Sequence, residues 1–246
     1  MILYLTSSPT GPLDAPGGAP ELDPSNGFVT LLTGDWPDMG RVLLIAADPD
    51  NHPGNDEMKH YFHKVFLNAG LPVSTFHLWD SRTPVYSPEQ VCAFDVIILA
   101  GGHVPTQNAF FQRISLFDSI RNFDGVLMGI SAGSMNCAET VYAQPEIEGE
   151  TLDPDYKSFI PGLGMTRIQI LPHYQAVCNR ILDGRRLFED ITAQDSHGHC
   201  FLILPDGSFV RESEGHATVY GLSYLMHDGI QETFCLQNQH REYSEP

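Results

Sequence analysis

The chain has 246 residues, of which 42% are hydrophobic and 18% charged, so it can bury a globular core and disorder is not expected. Its 13 Lys and Arg oppose 31 Asp and Glu, which gives a formal net charge of −18. A body this acidic repels nucleic-acid backbones and anionic membranes, and we expect neither as a partner. Five scattered cysteines without a C-x-x-C pair predict no disulfide framework and favour a cytoplasmic protein.

The predicted elements alternate between strands and helices. This alternation predicts a doubly wound, mostly parallel α/β sheet with flanking helices, which we expect to form a single domain over residues 1–246. A loop rich in Pro and Gly is predicted at 6–27, and no apolar run is long enough to span a membrane. The predicted strands are 1–5, 41–47, 73–79, 94–100 and 125–130, and the predicted helices are 56–69, 106–121 and 132–142.

The last quarter of the chain predicts two β-hairpins. The apolar runs 200–204 and 208–211 flank Pro205-Asp-Gly207, which is a strong turn sequence. A second turn, Asp228-Gly229, lies within the strand-like stretch 217–234.

The strongest motif is Gly129-Ile-Ser-Ala-Gly133, a G-x-S-x-G pattern between a predicted buried strand and a predicted helix. Small residues allow the sharp turn that exposes the Ser131 hydroxyl at the end of the sheet, where it can act as a nucleophile. The plainer interpretation is a glycine-rich turn in which Ser131 only caps the helix.

A serine nucleophile needs a base, and His173 follows an apolar strand-like run that should end at the same edge of the sheet. His103, just after Gly101-Gly102, is the second candidate, and either histidine can instead be an ordinary loop residue. In α/β-hydrolases the histidine comes late in the chain, after the acid. Here more strands follow His173, which counts against that fold.

Metal binding is a weaker hypothesis. His60-x-x-His63 lies on a predicted helix, and His197-Gly-His-Cys200 is rich in ligand side chains. The first pair lacks the glutamate of an H-E-x-x-H motif, and no further pair has structural-zinc spacing. We therefore expect no metal and no other cofactor.

Several motifs together resemble the dipeptidase E / cyanophycinase family of serine peptidases. They are Ala100-Gly-Gly102 after a strand, Gly129 to Ser134 at an elbow, Gly162-Leu-Gly164 leading to Pro172-His-Tyr174, and Leu204-Pro-Asp-Gly-Ser208. The resemblance covers roughly residues 41–220. It implies a class I glutamine-amidotransferase-like (flavodoxin-like) α/β fold in which serine replaces the amidotransferase cysteine.

By this resemblance Ser131 is the nucleophile, His173 is its general base, and the amides of Ala132 and of Gly101-Gly102 form the oxyanion hole. Members of the family cleave dipeptides with N-terminal aspartate or β-aspartyl-arginine polymers. The sequence departs from the dipeptidases after Gly102, where His-Val-Pro-Thr replaces the usual Asn-Thr, and in the long loop 6–27. Both departures concern substrate specificity.

The third member of the triad is ambiguous between Glu146 and Asp206. Asp206 lies in a Leu-Pro-Asp-Gly turn where the family has an acid, although Pro-Asp-Gly also favours a plain turn. Glu146 follows Ser131 at a distance where the dipeptidases carry an acid, although it can equally be a solvated loop residue. We favour Glu146 slightly, either orienting His173 or lining the pocket.

An acidic substrate would need a local cation, because the whole protein repels it. Four of the ten arginines lie between Arg167 and Arg186, and the fork of an arginine suits a carboxylate. Arg167, Arg185 and Arg186 are therefore candidate substrate-binding residues. The plainer interpretation is that Arg185 and Arg186 begin a solvated helix face and pair with Glu189 and Asp190.

These observations together predict a cytoplasmic serine peptidase that hydrolyses small peptides, as a monomer or homodimer. An esterase or other acyl hydrolase with the same Ser-His pair is one alternative, and a cyanophycinase-like enzyme is another. A non-catalytic binding protein with the same fold is an alternative of a different class.

Overall fold

The computed structural model describes residues 1–11 and 20–244, so residues 12–19 of the predicted loop 6–27 lie outside the described residues. Within those ranges the strands are β1 (Ile2–Thr6), β2 (Gly40–Ile45), β3 (Val73–Trp79), β4 (Val96–Leu99), β5 (Val126–Ile130), β6 (Thr140–Tyr142), β7 (Phe159–Pro161), β8 (Gln169–Leu171), β9 (Ile181–Leu182), β10 (Arg185–Arg186), β11 (Cys200–Ile203), β12 (Phe209–Ser213), β13 (His216–Tyr220), β14 (Ser223–His227), β15 (Ile230–Cys235) and β16 (His240–Glu242). The α-helices are α1 (Phe28–Asp35), α2 (His52–Asn68), α3 (Pro88–Val91), α4 (Val104–Arg113), α5 (Leu116–Ile120), α6 (Ala132–Met135), α7 (Tyr174–Val177) and α8 (Ala193–Asp195), with a 3₁₀ turn at Ser25–Gly27 and a π-helical segment at Leu187–Thr192.

The main sheet has eight strands in the order β16-β13-β12-β1-β5-β4-β2-β3. The five strands from β1 to β3 in this order are parallel to one another, while β12, β13 and β16 extend the sheet by antiparallel pairing. The predicted α/β fold with a mostly parallel sheet and flanking helices is confirmed.

A second sheet of four strands has the order β15-β14-β11-β8, with β8 and β11 parallel. C-terminal hairpins are present, and the one at Asp228-Gly229 joins β14 to β15 as predicted. The predicted hairpin at Pro205-Asp-Gly207 is wrong: β11 pairs in the second sheet, whereas β12 pairs with β1 and β13 in the main sheet. This turn carries the chain from one sheet to the other.

Two predicted helices also differ from the observed ones. The helix predicted at 106–121 is split into α4 and α5 at Ser115, whose φ of 51° is left-handed and interrupts the helix. The helix predicted at 132–142 ends at Met135. The carbonyl groups of Asn136 and Cys137 accept hydrogen bonds from the main chain of Leu163 and Met165 instead of continuing the helix.

The central strands are buried on both faces, which explains their continuous apolar sequences. Along β2, Leu43 and Ile45 belong to one core cluster, and Val42 and Leu44 belong to the cluster on the other face. Side chains of a strand alternate between faces, so one strand contributes to both cores. This arrangement leaves the ends of the strands as the place where polar side chains converge.

A partly buried ionic network joins the first helix to the sheet. Asp35, at the end of α1, accepts hydrogen bonds from the Tyr4 hydroxyl and from two nitrogens of Arg211, the latter at 2.7 and 2.9 Å. Burial opposes ionisation of Asp35, but the hydrogen bonds from Arg211 and Tyr4 outweigh it and hold the pKa of Asp35 below its ordinary value of 3.8. The ionised carboxylate therefore stabilises the folded state.

We expect Asp35→Asn to lower the free energy of unfolding by about 1.5–3 kcal/mol at neutral pH, since Arg211 and Tyr4 lose a charged partner. Because the folded-state pKa is depressed, this stabilisation is present above pH 3.8 and is lost as the pH falls below it. Urea unfolding over this range measures the effect. Asp124→Asn, which removes a carboxylate with an exposed fraction of 92%, is the control and should change stability much less. A pH-independent difference between wild type and Asp35→Asn would contradict the assignment.

Candidate active site

Three neighbouring parallel strands end at one edge of the main sheet. Ser7 follows β1, Ser131 follows β5, and Gly101 lies just beyond β4. Because β12 is antiparallel to β1, with Phe209 opposite Thr6, the turn before β12 lies at this same edge. Open parallel sheets bind ligands beyond the carboxyl ends of their strands, so this edge is the candidate site.

Ser131 occupies a strained turn between β5 and α6. Its φ of 51° and ψ of −113° are unusual for a serine, and its N–H donates to the carbonyl of Thr6 at 3.0 Å. A Cβ on Gly133 would lie 2.2 Å from the carbonyl oxygen of Leu99, and one on Gly129 would lie 2.5 Å from Ser134 Cα. The glycines therefore permit the close packing that a nucleophile elbow requires.

The predicted oxyanion-hole residues lie around this turn. Gly101 packs against Ser131, since a Cβ added to Gly101 would be 3.4 Å from Ser131 Cβ. Gly102 is close to the end of β2, where an added Cβ would be 2.6 Å from Ala47 Cβ. Ala132 is the first residue of α6 and is buried. Gly101 and Ala132 are thus both adjacent to Ser131.

His173 follows β8 and is held by a buried carboxylate. Its Nδ1 lies 2.7 Å from Asp206 Oδ1, and the side chains of His173 and Asp206 are 15% and 1% exposed. The side chain of Gln175 accepts a hydrogen bond from the Asp206 N–H at 3.0 Å. A carboxylate on Nδ1 fixes the imidazole tautomer and leaves Nε2 without a proton in the neutral ring.

The structure brings Asp206 to His173, whereas Glu146 is not among the hydrogen-bond partners of this histidine. Of the two roles left open for Glu146, orienting His173 or lining the pocket, the first therefore falls to Asp206. Glu146 is exposed, and its main-chain N–H donates to Glu150 Oε2 at 2.7 Å. The spacing of fifteen residues between Ser131 and Glu146 does not show which strands pair, and therefore does not show which acid lies near His173. The antiparallel pairing of β12 with β1 is what brings Asp206 to the sheet edge.

His103, the second candidate base, is engaged elsewhere. Its Nδ1 lies 2.8 Å from Thr106 Oγ1 and its Nε2 lies 2.8 Å from Glu150 Oε1. Since both ring nitrogens have partners, neither is available to take a proton from Ser131. His103 instead ties the turn after β4 to the loop that carries Glu146 and Glu150.

The structure does not unite the three predicted arginines at this edge. Arg167 is exposed and precedes β8, whereas His173 follows that strand. Arg186 forms an ion pair with Asp190 at 2.6 Å, and Arg185 donates to the Asp190 carbonyl at 2.7 Å. The plainer interpretation of the last two as surface pairs fits this geometry, although they form strand β10 and not a helix face.

Two histidines of the metal hypothesis, one from each motif, pack against aromatic rings. His63 lies 5.5 Å from the Phe76 ring and His199 stacks on Phe159 at 4.1 Å between centroids. Within residues 1–11 and 20–244, no three His, Cys, Asp or Glu side chains are grouped to hold a metal ion. Over the same ranges, every helix is too short or too polar to cross a bilayer.

Sequence reasoning missed Ser7, Gln175 and Glu150. Ser7 is fully buried and contacts both His173 and Asp206, and the signal for it was a polar residue placed directly after an apolar strand. Gln175 lies in the short helix α7 and Glu150 lies in a turn, and neither element is long enough for a periodic pattern to mark a functional side chain.

The comparisons with known proteins concern the fold. No family model matches the chain, and no curated protein matches it. A crystal structure of a peptidase from an acI-B1 Actinobacterium aligns with a TM-score of 0.65 at 15% identity, covering 98% of this chain and 96% of the other. A putative peptidase E from Listeria monocytogenes EGD-e aligns with a TM-score of 0.56 at 15% identity, covering 95% and 98%. The chain therefore has a peptidase E-like fold.

Two glycine substitutions should have opposite effects on the stability of the protein, because Gly133 in the elbow is tightly packed and Gly34 is not. We expect Gly133→Ala to destabilise the protein by about 1–3 kcal/mol, because the added methyl group overlaps the Leu99 carbonyl. Gly34→Ala in α1, where nothing lies within 4 Å of the new Cβ, should instead stabilise it by about 0.5–1 kcal/mol. Thermal unfolding of both variants measures the difference. Equal effects would show that the elbow is not tightly packed.

Proposed function

We propose that the chain is a serine peptidase that hydrolyses small peptides through an acyl-enzyme intermediate. The observation that carries this proposal is a serine in a strained elbow at the same sheet edge as a histidine with a buried carboxylate on Nδ1. The peptidase E-like fold, shared with two structures described as peptidases, supports the choice of peptides over other acyl compounds.

The proposed reaction uses the Ser131 hydroxyl as nucleophile. Its oxygen attacks the scissile carbonyl carbon while its proton passes to His173 Nε2, and the N–H groups near Gly101, Gly102 and Ala132 stabilise the oxyanion. When the C–N bond breaks, the imidazolium returns the proton to the leaving amine. Water then hydrolyses the acyl-enzyme with His173 again acting as base. Asp206 stabilises the imidazolium throughout.

We expect Ser131→Ala and His173→Ala each to abolish turnover of a dipeptide library, with losses of up to ~10⁶-fold that are not additive in the double variant. Asp206→Asn should lower kcat by about 10³–10⁴-fold, because an amide cannot stabilise the imidazolium. Glu146→Gln is the matched control and should retain kcat within about tenfold of wild type.

Two outcomes would contradict the mechanism. Retention of more than a few per cent of activity in Ser131→Ala would exclude Ser131 as the nucleophile. Equal losses in Asp206→Asn and Glu146→Gln would show that Asp206 has no special role. Hydrolysis of short esters without any dipeptide would favour an acyl hydrolase with the same residues.

We further propose a preference for N-terminal aspartate, which rests on the family resemblance. A protein with a net charge of −18 needs a cation near the site to bind such a substrate. Arg180 supports this proposal better than the three arginines predicted first. Its guanidinium donates to the Glu146 carbonyl at 2.6 Å, and the Glu146 loop is connected through Glu150 to His103, beside the oxyanion-hole turn.

We expect Arg180→Gln to cost about 1.5–3 kcal/mol in kcat/KM for Asp-X dipeptides and much less for Ala-X dipeptides, because only the first carries the recognised carboxylate. Arg167→Gln is the control, since Arg167 precedes β8 and lies away from His173. Steady-state kinetics on both substrate series measures the preference. An unchanged preference in Arg180→Gln, or a wild type that does not prefer aspartate, would contradict this specificity.

A further inference from the structure

Ser7 lies at the junction of the candidate nucleophile and its base. The residue directly follows β1, and its side chain is fully buried. Its hydroxyl is 2.6 Å from Asp206 Oδ1 and 2.7 Å from the main-chain nitrogen of His173, and it is 3.4 Å from His173 Nδ1. A single small hydroxyl thus contacts both members of the His-Asp pair.

The chemistry of the groups determines which of them donates. A hydroxyl has one proton, and a main-chain N–H can only donate, so Ser7 Oγ accepts from His173. An ionised carboxylate can only accept, so the Ser7 proton goes to Asp206 Oδ1. The same oxygen of Asp206 is the partner of His173 Nδ1, which must then carry the other hydrogen. Each of the three donors, the main-chain N–H of His173, the Ser7 hydroxyl and the Nδ1–H of His173, therefore has one acceptor.

Ser7 also satisfies the backbone of a strained residue. His173 has φ 57° and ψ 32°, a left-handed conformation that is unfavourable for a residue with a side chain. Its N–H is directed to the Ser7 hydroxyl, which therefore holds the main chain of His173 as well as its carboxylate partner. Loss of the hydroxyl would leave both groups short of a partner in a buried environment.

The strand that carries Ser7 is tied to the nucleophile as well. The carbonyl of Thr6 accepts from the N–H of Ser131 at 3.0 Å and from the Ser134 hydroxyl at 2.9 Å. The Thr6 N–H in turn donates to Ser134 Oγ at 2.9 Å. Residues 6 and 7 therefore connect the elbow on one side with the His-Asp pair on the other.

We propose that Ser7 is a positioning residue that aligns Asp206 with the imidazole of His173 and keeps Nδ1 protonated, so that Nε2 is free to accept the Ser131 proton. Ser7 acts only through His173 and Asp206 and does not touch the substrate. The proposal rests on the serine-peptidase mechanism proposed above and adds a fourth residue to it.

The test is the rate at which a fluorophosphonate probe labels Ser131, which reports activation of the nucleophile without requiring a known substrate. We expect Ser7→Ala to slow labelling by roughly 10–100-fold, because Asp206 loses a charge-assisted hydrogen bond. Ser7→Cys, with a weak S–H donor, should fall between Ser7→Ala and wild type. On a peptide substrate, kcat should fall with KM unchanged.

Ser223→Ala is the matched control. It removes a fully buried hydroxyl that has no hydrogen-bond partner among the described residues and belongs to the second sheet. We expect wild-type labelling from this variant. A slowing equal to that of Ser7→Ala would mean that loss of any buried hydroxyl is enough, and would overturn the proposal.

A second measurement separates this proposal from the mechanism on which it rests. The His173 Nδ1 proton should give a downfield proton NMR resonance in wild type, assigned by its loss in His173→Ala, and Ser7→Ala should broaden or shift it. Labelling at the wild-type rate with an unchanged resonance would overturn the role of Ser7, as would a rise in KM at constant kcat. A wild type that is not labelled at Ser131 would contradict the serine mechanism, while the resonance would still decide whether Ser7 orients His173.

Discussion

The antiparallel pairing of β12 with β1 is the constraint on which the candidate site depends. β11 ends in the second sheet at Ile203, and β12 begins in the main sheet at Phe209, opposite Thr6. The short connection between them must cross from one sheet to the other along the edge where the parallel strands end. Asp206 lies within that connection, so the pairing of strands delivers the carboxylate to His173.

Both proposed catalytic side chains are carried by strained main chain. Ser131 and His173 have positive φ values of 51° and 57°, and conformations of this kind cost about 1–3 kcal/mol each for residues with side chains. The end of β1 compensates for both, because Thr6 binds the N–H of Ser131 and Ser7 binds the N–H of His173. One central strand therefore positions two side chains that come from different sheets.

Much of the fold could be predicted from the sequence because buried parallel strands require continuous apolar runs. The strands that end at Ile45, Leu99 and Ile130 were recognisable for this reason, and so was the elbow at Ser131. The hairpin predicted at Pro205-Asp-Gly207 failed because a turn sequence specifies a change of direction and not the partner of the strand that follows. The pairing of β12 with β1 depends on residues far apart in the chain.

The site was harder to predict because its residues come from parts of the chain that are far apart in sequence. Choosing between Glu146 and Asp206 required the register of distant strands, and sequence separation from Ser131 does not contain it. Ser7 is 166 residues from His173 and 199 from Asp206, so no local pattern connects them. The arginines were chosen by charge and proximity along the chain, whereas Arg186 is engaged by its neighbour Asp190.

The central claim is that Ser131 forms a covalent acyl intermediate with the help of His173 and Asp206. Mass spectrometry after acid quenching of a reaction with an activated ester tests it most directly. We expect the acyl group on the peptide that contains Ser131 in wild type, none on that peptide in Ser131→Ala, and accumulation far slower than wild type in Asp206→Asn. Acylation of another residue in wild type, or none at all during turnover, would contradict the account.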